Sequence, residues 1–156
     1  MRPRHPDPPT AWLITDERLG PDLLKRIRRL PPGTGVLVRH HGLSPRVRRA
    51  VLRQIRLIAR SRGLIVVDEA EGEVARVHSA RELRRALPRN TDLLFLSPLF
   101  PTRTHPGWAP LGRMRAASLV RLARRPVLAL GGMDSRRYAR VMALGFRGWG
   151  GIDGFG

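Results

Sequence analysis

Residues 126–152, PVLALGGMDSRRYARVMALGFRGWGGI, decide the fold because two short apolar runs flank one helical segment. The first run ends in a glycine pair, Gly131 and Gly132, and the Asp-Ser pair that follows supplies a helix cap at one position or the other. Gly145 is a typical helix end, and a glycine-weakened strand follows over residues 147–152. Strand, helix and strand in this order are typical of a parallel sheet covered by helices.

The same alternation continues through the preceding part of the chain. Ser44 and Pro45 predict the start of the longest helix, which Gly63 ends, and Ser79 with Glu82 forms a capping-box pattern for the next one. Together with the two strands above, β-rich apolar runs bring the number of predicted strands to seven. These further runs lie at residues 11–15, 35–40, 64–68, 74–78 and 92–97.

This pattern predicts an α/β fold of the TIM (β/α)8-barrel type, in a shortened and potentially incomplete form. The chain has 156 residues, whereas such barrels typically have roughly 250 residues and eight strands. The irregularity lies in EAEGE (residues 69–73), since a parallel crossover needs about a dozen residues or more. Either the flanking strands pair as an antiparallel hairpin, or one is misassigned, or a whole βα unit is absent. We expect one domain over residues 11–156, after a flexible tail at 1–10.

The composition narrows the classes of partner. The chain has no cysteine, which excludes disulfides, thiolate metal sites and a cysteine nucleophile. No apolar stretch approaches the roughly 20 residues that span a bilayer, so we expect a cytoplasmic protein without a membrane partner. The net charge of +18 suits nucleic acid, but only 5% of residues are aromatic and many arginines lie on polar helix faces. A nucleic-acid partner is therefore not expected, and homo-oligomer formation stays open.

Ligands of parallel α/β folds collect at the carboxyl ends of the strands, which directs attention to the hydroxyl loop, SPLFPTRTHPG (residues 97–107). Thr102, Thr104 and His105 can donate hydrogen bonds to a phosphate from this proline-stiffened loop. The glycine pair after the sixth strand also suits a phosphate, because a Cβ would keep the anion away from the backbone amides. An ordinary surface loop and a tight turn are the alternatives.

Two charged residues follow earlier strands. Arg39 would direct a fixed cation towards the same mouth of the barrel. Asp68 could hold Mg²⁺ through water and a phosphate ligand, or could instead cap a helix or lie in a loop. A site built from these residues and the hydroxyl loop would suit small phosphorylated molecules.

Two long segments carry a family resemblance. FLSPLFPTRTHPGWAPLG and RPVLALGGMDSRRYARVMALGFRGWGGI resemble the second half of thiamine phosphate synthase and its shorter TenI-like relatives. WLITDERL, VLVRHHG and LIVVDEA are similar to the first three strands of that family. The resemblance implies a barrel enzyme of thiamine biosynthesis that joins hydroxymethylpyrimidine diphosphate to a thiazole phosphate with Mg²⁺. A TenI-like thiazole-phosphate-binding protein without coupling activity, or a non-enzymatic phosphate- or RNA-binding domain, is the alternative.

The resemblance also implies roles for individual residues. Arg39 matches an arginine of the diphosphate motif and Asp68 matches a magnesium aspartate. The residues that match phosphate-binding positions are Thr102, Thr104, His105, Gly131, Gly132, Gly151 and Ile152.

The chain departs from the family pattern at several of these positions. A glutamine and a lysine of the diphosphate motif are replaced by Leu37 and His41, the lysine after the hydroxyl loop is His105, and an expected serine is Arg76. The segment that bears the second magnesium carboxylate is missing after Asp68. Its function could pass to one of three nearby glutamates, at positions 69, 71 and 73.

Overall fold

The structure, a computed structural model, describes residues 7–72, 74–89 and 91–155. Within these ranges the chain alternates strands and helices, as the sequence predicts. The strands are β1 (Ala11–Ile14), β2 (Gly35–Val38), β3 (Ile65–Asp68), β4 (Val74–Val77), β5 (Leu93–Leu96), β6 (Val127–Ala129) and β7 (Gly148–Gly151). The helices are α1 (Leu23–Arg29), α2 (Pro45–Arg62), α3 (Ala80–Ala86), α4 (Arg113–Ala123) and α5 (Ser135–Val141).

The seven strands form a single parallel sheet with the order β3-β2-β1-β7-β6-β5-β4. The sheet is strongly curled. Trp12 of β1 and Phe95 of β5 meet edge to face with ring centroids 5.9 Å apart, although β7 and β6 separate their strands. In a flat sheet three strand spacings amount to about 14 Å. The sheet therefore forms most of a TIM-type barrel around an apolar interior, which confirms the predicted fold class.

The barrel is open between β3 and β4, which are the two edges of the sheet. The antiparallel hairpin considered for these strands is wrong, because each is parallel to its own neighbour, β2 or β5. The five residues between β3 and β4 are enough to connect these two parallel strands because each strand contains only four residues. Within this connection Glu69–Glu71 form a 3-10 turn, which advances only about 2 Å per residue. We call the gap between these edges the seam.

Local helix signals in the sequence are confirmed. The Ser44 hydroxyl accepts the N–H of Val47 at the start of α2, and Gly63 ends that helix in the left-handed conformation. The Ser79 side chain caps α3, and Asp134 rather than Ser135 caps α5. Within the described residues no helix, α2 included, is long and apolar enough to cross a membrane.

The last residues of the predicted N-terminal tail lie against the sheet. The carbonyl oxygen of Thr10 accepts the N–H of Trp149, at 2.8 Å, and Asp7 pairs with Arg147. Residues 1–6 of the predicted tail lie outside the described residues.

Candidate active site

A cleft of about 490 Å³ opens at the carboxyl ends of the strands. Its walls come from the segments that follow β2, β5, β6 and β7, and from β4. Eight of the nine predicted site residues line it, and Asp68 does not. The eight are Arg39, Thr102, Thr104, His105, Gly131, Gly132, Gly151 and Ile152.

The hydroxyl loop is fixed to the end of β6 by backbone hydrogen bonds. Leu99 N–H donates to the carbonyl of Leu130 at 3.0 Å, and Phe100 N–H donates to that of Gly131 at 3.2 Å. Beyond this attachment, Thr104 N–H donates to the Thr102 hydroxyl at 3.2 Å. Both threonine side chains are half-buried and line the cleft, so the loop presents hydroxyl groups on an anchored backbone.

The glycine turn, Gly131–Gly132, is required by close packing against the hydroxyl loop. Both glycines have positive φ, 94° and 60°. A Cβ on Gly131 would lie 2.7 Å from Cα of Pro98, and a Cβ on Gly132 would overlap the carbonyl oxygen of Pro101. The tight-turn interpretation of these glycines is therefore confirmed by the packing alone. Phosphate binding by their amides stays a prediction.

Besides Arg39, three arginines that were not among the predicted site residues line the cleft: Arg76, Arg103 of the hydroxyl loop, and Arg137. Arg76 lies on β4, two residues after the interior residue Val74, so the alternation of the strand could have identified it. Arg137, in the first turn of α5, donates to the carbonyl of Gly132 and lies over the Phe100 ring at 5.3 Å. With Arg39, these residues make the cleft strongly cationic.

An aromatic cluster borders the hydroxyl loop. His105 stacks on Trp108 with ring centroids 4.3 Å apart, and His78 meets the same indole edge to face at 5.0 Å. The Nδ1 atom of His78 lies 3.0 Å from the hydroxyl of Ser97. Trp108 is 46% exposed and lines the cleft. His105, where the family pattern has a lysine, thus belongs to a stacked pair.

Glu69 gathers cationic side chains at the seam. It directly follows β3, and its Oε1 atom accepts Nε–H of Arg76 on β4 at 2.5 Å. Its Oε2 atom lies 2.6 Å from Nε2 of His41 and 3.8 Å from Nε of Arg39. Burial is the largest single influence and raises the pKa of Glu69. The hydrogen bonds from His41 and Arg76 and the charges of the arginines lower this pKa, and together they outweigh burial. The net pKa lies below the ordinary value, so the carboxylate is charged.

Arg39 is held in an environment poor in acceptors. Its Nε–H is buried and has no hydrogen-bond partner among the described residues. Burial lowers the pKa of Arg39, and the neighbouring charge of Arg76 lowers it further, while Glu69 and Asp16 act in the opposite direction. The group remains a cation that lacks an acceptor for one of its donors.

Asp68 faces α2 instead of the cleft. Its two carboxylate oxygens accept Nη2–H and Nη1–H of Arg48 at 2.5 and 2.9 Å, and Oδ1 also accepts the N–H of Ala70. Arg48 in turn donates to the carbonyl oxygen of Arg39. The interpretation of Asp68 as a cap is confirmed for the 3-10 turn Glu69–Glu71.

The donor set around Asp68 does not fit a magnesium ion. Mg²⁺ requires carboxylate oxygens that are available for coordination, and both oxygens of Asp68 are occupied by Arg48. Of the three glutamates considered as substitutes, Glu69 is held by Arg76 and His41, Glu71 pairs with Arg56, and Glu73 lies outside the described residues. No group of three or more His, Cys, Asp and Glu side chains in the described part of the chain could hold a metal ion.

Comparison with solved structures supports the barrel assignment. Thiamine phosphate pyrophosphorylase from Pyrococcus furiosus aligns with a TM-score of 0.77 and 19% identity, over 93% of this chain and 86% of its own. At this identity the likeness shows the fold. A FabK mutant from Thermotoga maritima aligns with a TM-score of 0.43 and 20% identity, over 89% of this chain and 41% of its own, which adds nothing to the assignment.

Comparison of sequences gives the family. Among curated proteins none matches this sequence significantly. The family model described as thiamine monophosphate synthase matches residues 75–155, just over half of the chain. The matched part begins in β4 and contains the hydroxyl loop, the glycine turn and β7, which together build most of the cleft. The chain therefore belongs to the thiamine monophosphate synthase family, whose members include the TenI-like proteins.

Proposed function

We propose that the protein is a thiamine-phosphate synthase-type transferase. It would join hydroxymethylpyrimidine diphosphate to a thiazole phosphate and release diphosphate. The observation that carries this proposal is the convergence on one cleft of eight residues that the family resemblance selects, although they come from four separate segments of the chain. Their convergence does not follow from sequence proximity, since Arg39 and Ile152 lie at opposite ends of the domain.

In this proposal the hydroxyl loop and the glycine turn bind the thiazole phosphate. The Thr102 hydroxyl accepts the N–H of Thr104, so its own proton can be donated to a phosphate oxygen. Backbone amides near Gly131, Gly132 and Gly151 would supply further donors, because no side chain at these positions blocks their approach. His105 would flank this subsite through its stack on Trp108.

Arg39 would stabilise the leaving group. When the C–O bond between the pyrimidine methylene and diphosphate breaks, the electron pair stays on the diphosphate oxygen. The thiazole nitrogen then donates its lone pair to the methylene carbon and forms the new C–N bond. A half-buried guanidinium beside the departing oxygens would favour this step, because negative charge increases there as the bond breaks. We assign no step to Mg²⁺, since the carboxylates present do not fit it.

A TenI-like role, in which the thiazole phosphate binds without coupling, is the second candidate. The observation that favours it is the contact of Glu69 with Arg76 and His41. This carboxylate offsets part of the positive charge near Arg39, where the family resemblance places a diphosphate. This role needs the hydroxyl loop and the glycine turn but not the arginines.

Calorimetric titration with thiazole phosphate tests the binding step. Replacing Thr102 and Thr104 together by valine removes both hydroxyls at similar volume. Since a hydrogen bond to a charged group is worth about 1.5–3 kcal/mol, we expect affinity to fall at least tenfold. The matched control is Thr10→Val, because Thr10 is exposed outside the cleft. Equal affinity of the double variant and the control variant would refute the assignment of this subsite.

Incubation with both phosphorylated precursors tests the coupling step. The transferase proposal predicts thiamine phosphate and diphosphate in equal amounts. Thiazole-phosphate binding without any product would favour the TenI-like role instead. Absence of both binding and product would refute both functions.

A further inference from the structure

Among the described residues, the carboxylates around the cleft have cations or backbone donors as neighbours. Asp68 is bound to Arg48, and Glu69 to Arg76 and His41. The two aspartates of the cleft wall are also engaged: Asp134 accepts the N–H of Arg137, and Asp153 lies 3.8 Å from Arg26. Beside Arg39 and Arg76, a divalent cation would have to displace a cationic side chain from Asp68 or Glu69 to gain a carboxylate ligand.

The opposite charge is present in excess at the same place. Arg39 and Arg76 both line the cleft, with 22% and 26% of their side chains exposed, and they share Glu69 as counterion. Among the described residues, Glu69 is the carboxylate within 4 Å of both guanidinium groups, and Asp16 acts on Arg39 from farther away. In the described part of the chain the Nε–H of Arg39 has no acceptor, since 3.8 Å is too long for a hydrogen bond to Glu69. The pair lacks negative charge and at least one acceptor oxygen.

Glu69 fixes the geometry of this arginine pair. Its hydrogen bond with Arg76 uses Nε, so the two Nη groups of that guanidinium can donate to a ligand in the cleft. Guanidinium groups bind phosphate oxygens through two parallel hydrogen bonds. Two guanidiniums on neighbouring walls can engage both phosphates of a diphosphate group, which carries several negative charges.

We propose that Arg39 and Arg76, anchored by Glu69, form a diphosphate-binding clamp that works without Mg²⁺. In this arrangement Arg76, in place of the serine of the family pattern, supplies the positive charge that a metal ion would otherwise bring. The inference rests on the proposed function in placing a diphosphate group in this cleft. It differs from that function in assigning Arg76 and in requiring no metal.

Titration of the full chain with inorganic diphosphate, followed by calorimetry, tests the clamp. We expect saturable binding in EDTA, with an affinity no more than threefold below that in Mg²⁺. Replacing Arg76 by glutamine should weaken binding in EDTA about tenfold or more, because hydrogen bonds to a charged group are lost. Arg76→Lys should recover part of the loss, since it keeps the charge without the planar fork. The control is Arg121→Gln, an exposed residue of α4 outside the cleft, which should bind as the unaltered protein does.

Three results would overturn the clamp. The first is binding that appears only with Mg²⁺, and the second is unchanged affinity of Arg76→Gln. The third is equal weakening by Arg121→Gln, which would indicate general attraction to a chain of net charge +18. If Arg76→Gln does not fold, Arg76→Lys and the comparison of EDTA with Mg²⁺ decide. Thiazole-phosphate titration of the same sample separates the two proposals: if that ligand binds while diphosphate requires Mg²⁺, only the clamp fails.

Discussion

Replacing Asp68 by asparagine distinguishes a structural carboxylate from a metal ligand. In the structure Asp68 is 6% exposed and binds Arg48, which is 16% exposed, through two hydrogen bonds. Arg48 also donates to the carbonyl oxygen of Arg39. The pair thus connects the first turn of α2 to the ends of β2 and β3, so its loss should be felt in stability.

The expected magnitude follows from the burial of the pair. Removing one partner of a buried ion pair costs about 3–5 kcal/mol. Asparagine can still cap the following turn and accept one hydrogen bond from Arg48. We therefore expect Asp68→Asn to lower the free energy of unfolding by about 3 kcal/mol. For a chain of this size that corresponds to a fall in Tm of about 6–12 °C. Adding Arg48→Met, which removes the unpaired charge, should recover about half of the loss.

Denaturant unfolding at several pH values provides the assay. The hydrogen bond from Arg48 lowers the pKa of Asp68 below 3.8. Its stabilising effect is therefore complete above the unfolded-state pKa and is lost as the pH falls through the folded-state value. The difference in the free energy of unfolding between the unaltered protein and Asp68→Asn should have its largest value at pH 7 and should become smaller below about pH 4. Unchanged stability at pH 7, together with loss of Mg²⁺ binding, would refute the structural role and restore the metal site.

Other perturbations test further parts of the molecule. Gly132→Ala should lower the free energy of unfolding by at least about 2 kcal/mol in a thermal unfolding assay, because Gly132 has a positive φ and a Cβ there would meet Pro101. Gly33 also has a positive φ but has open space around it, so Gly33→Ala should cost only about 1 kcal/mol in the same assay. Arg125→Ala should cost about 2 kcal/mol, since Arg125 donates to the carbonyls of residues 87, 89 and 91, and an equal loss in Arg121→Ala would contradict this. Random RNA should bind weakly at physiological salt and lose affinity steeply as salt rises; tight, salt-resistant, sequence-selective binding in a filter assay would show that a nucleic-acid function was dismissed in error.

Local signals were predictable because they depend on neighbouring residues. The capping hydroxyl of Ser44 and the left-handed Gly63 need only the helix between them, and both occur as the sequence predicts. The gathering of the hydroxyl loop and the glycine turn at one cleft was also predictable, because parallel strands end at the same edge of the barrel.

Contacts between distant segments could not be predicted in this way. Asp68 comes at the end of a strand, where a site residue is expected, but its partner Arg48 lies in a different element. With 30 basic residues in the chain, sequence alone gives no reason to select that arginine. Arg76 is different: the sequence marks it as a departure from the family pattern, and its position two residues after the interior Val74 is enough to predict that it faces the inside of the barrel.

The seam links the stability of the shortened barrel to the chemistry of its cleft. Open sheet edges promote association between chains, and here both edge strands have only four residues. Glu69 and Arg76 connect the two edges by a charge-assisted hydrogen bond, which replaces part of the missing strand pairing. A second carboxylate at the seam would compete with Glu69 for the guanidinium of Arg76 and would repel Glu69. The short connection therefore links the closure of the barrel to the cationic cleft, because Glu69 bridges the seam and also contacts Arg39 and Arg76.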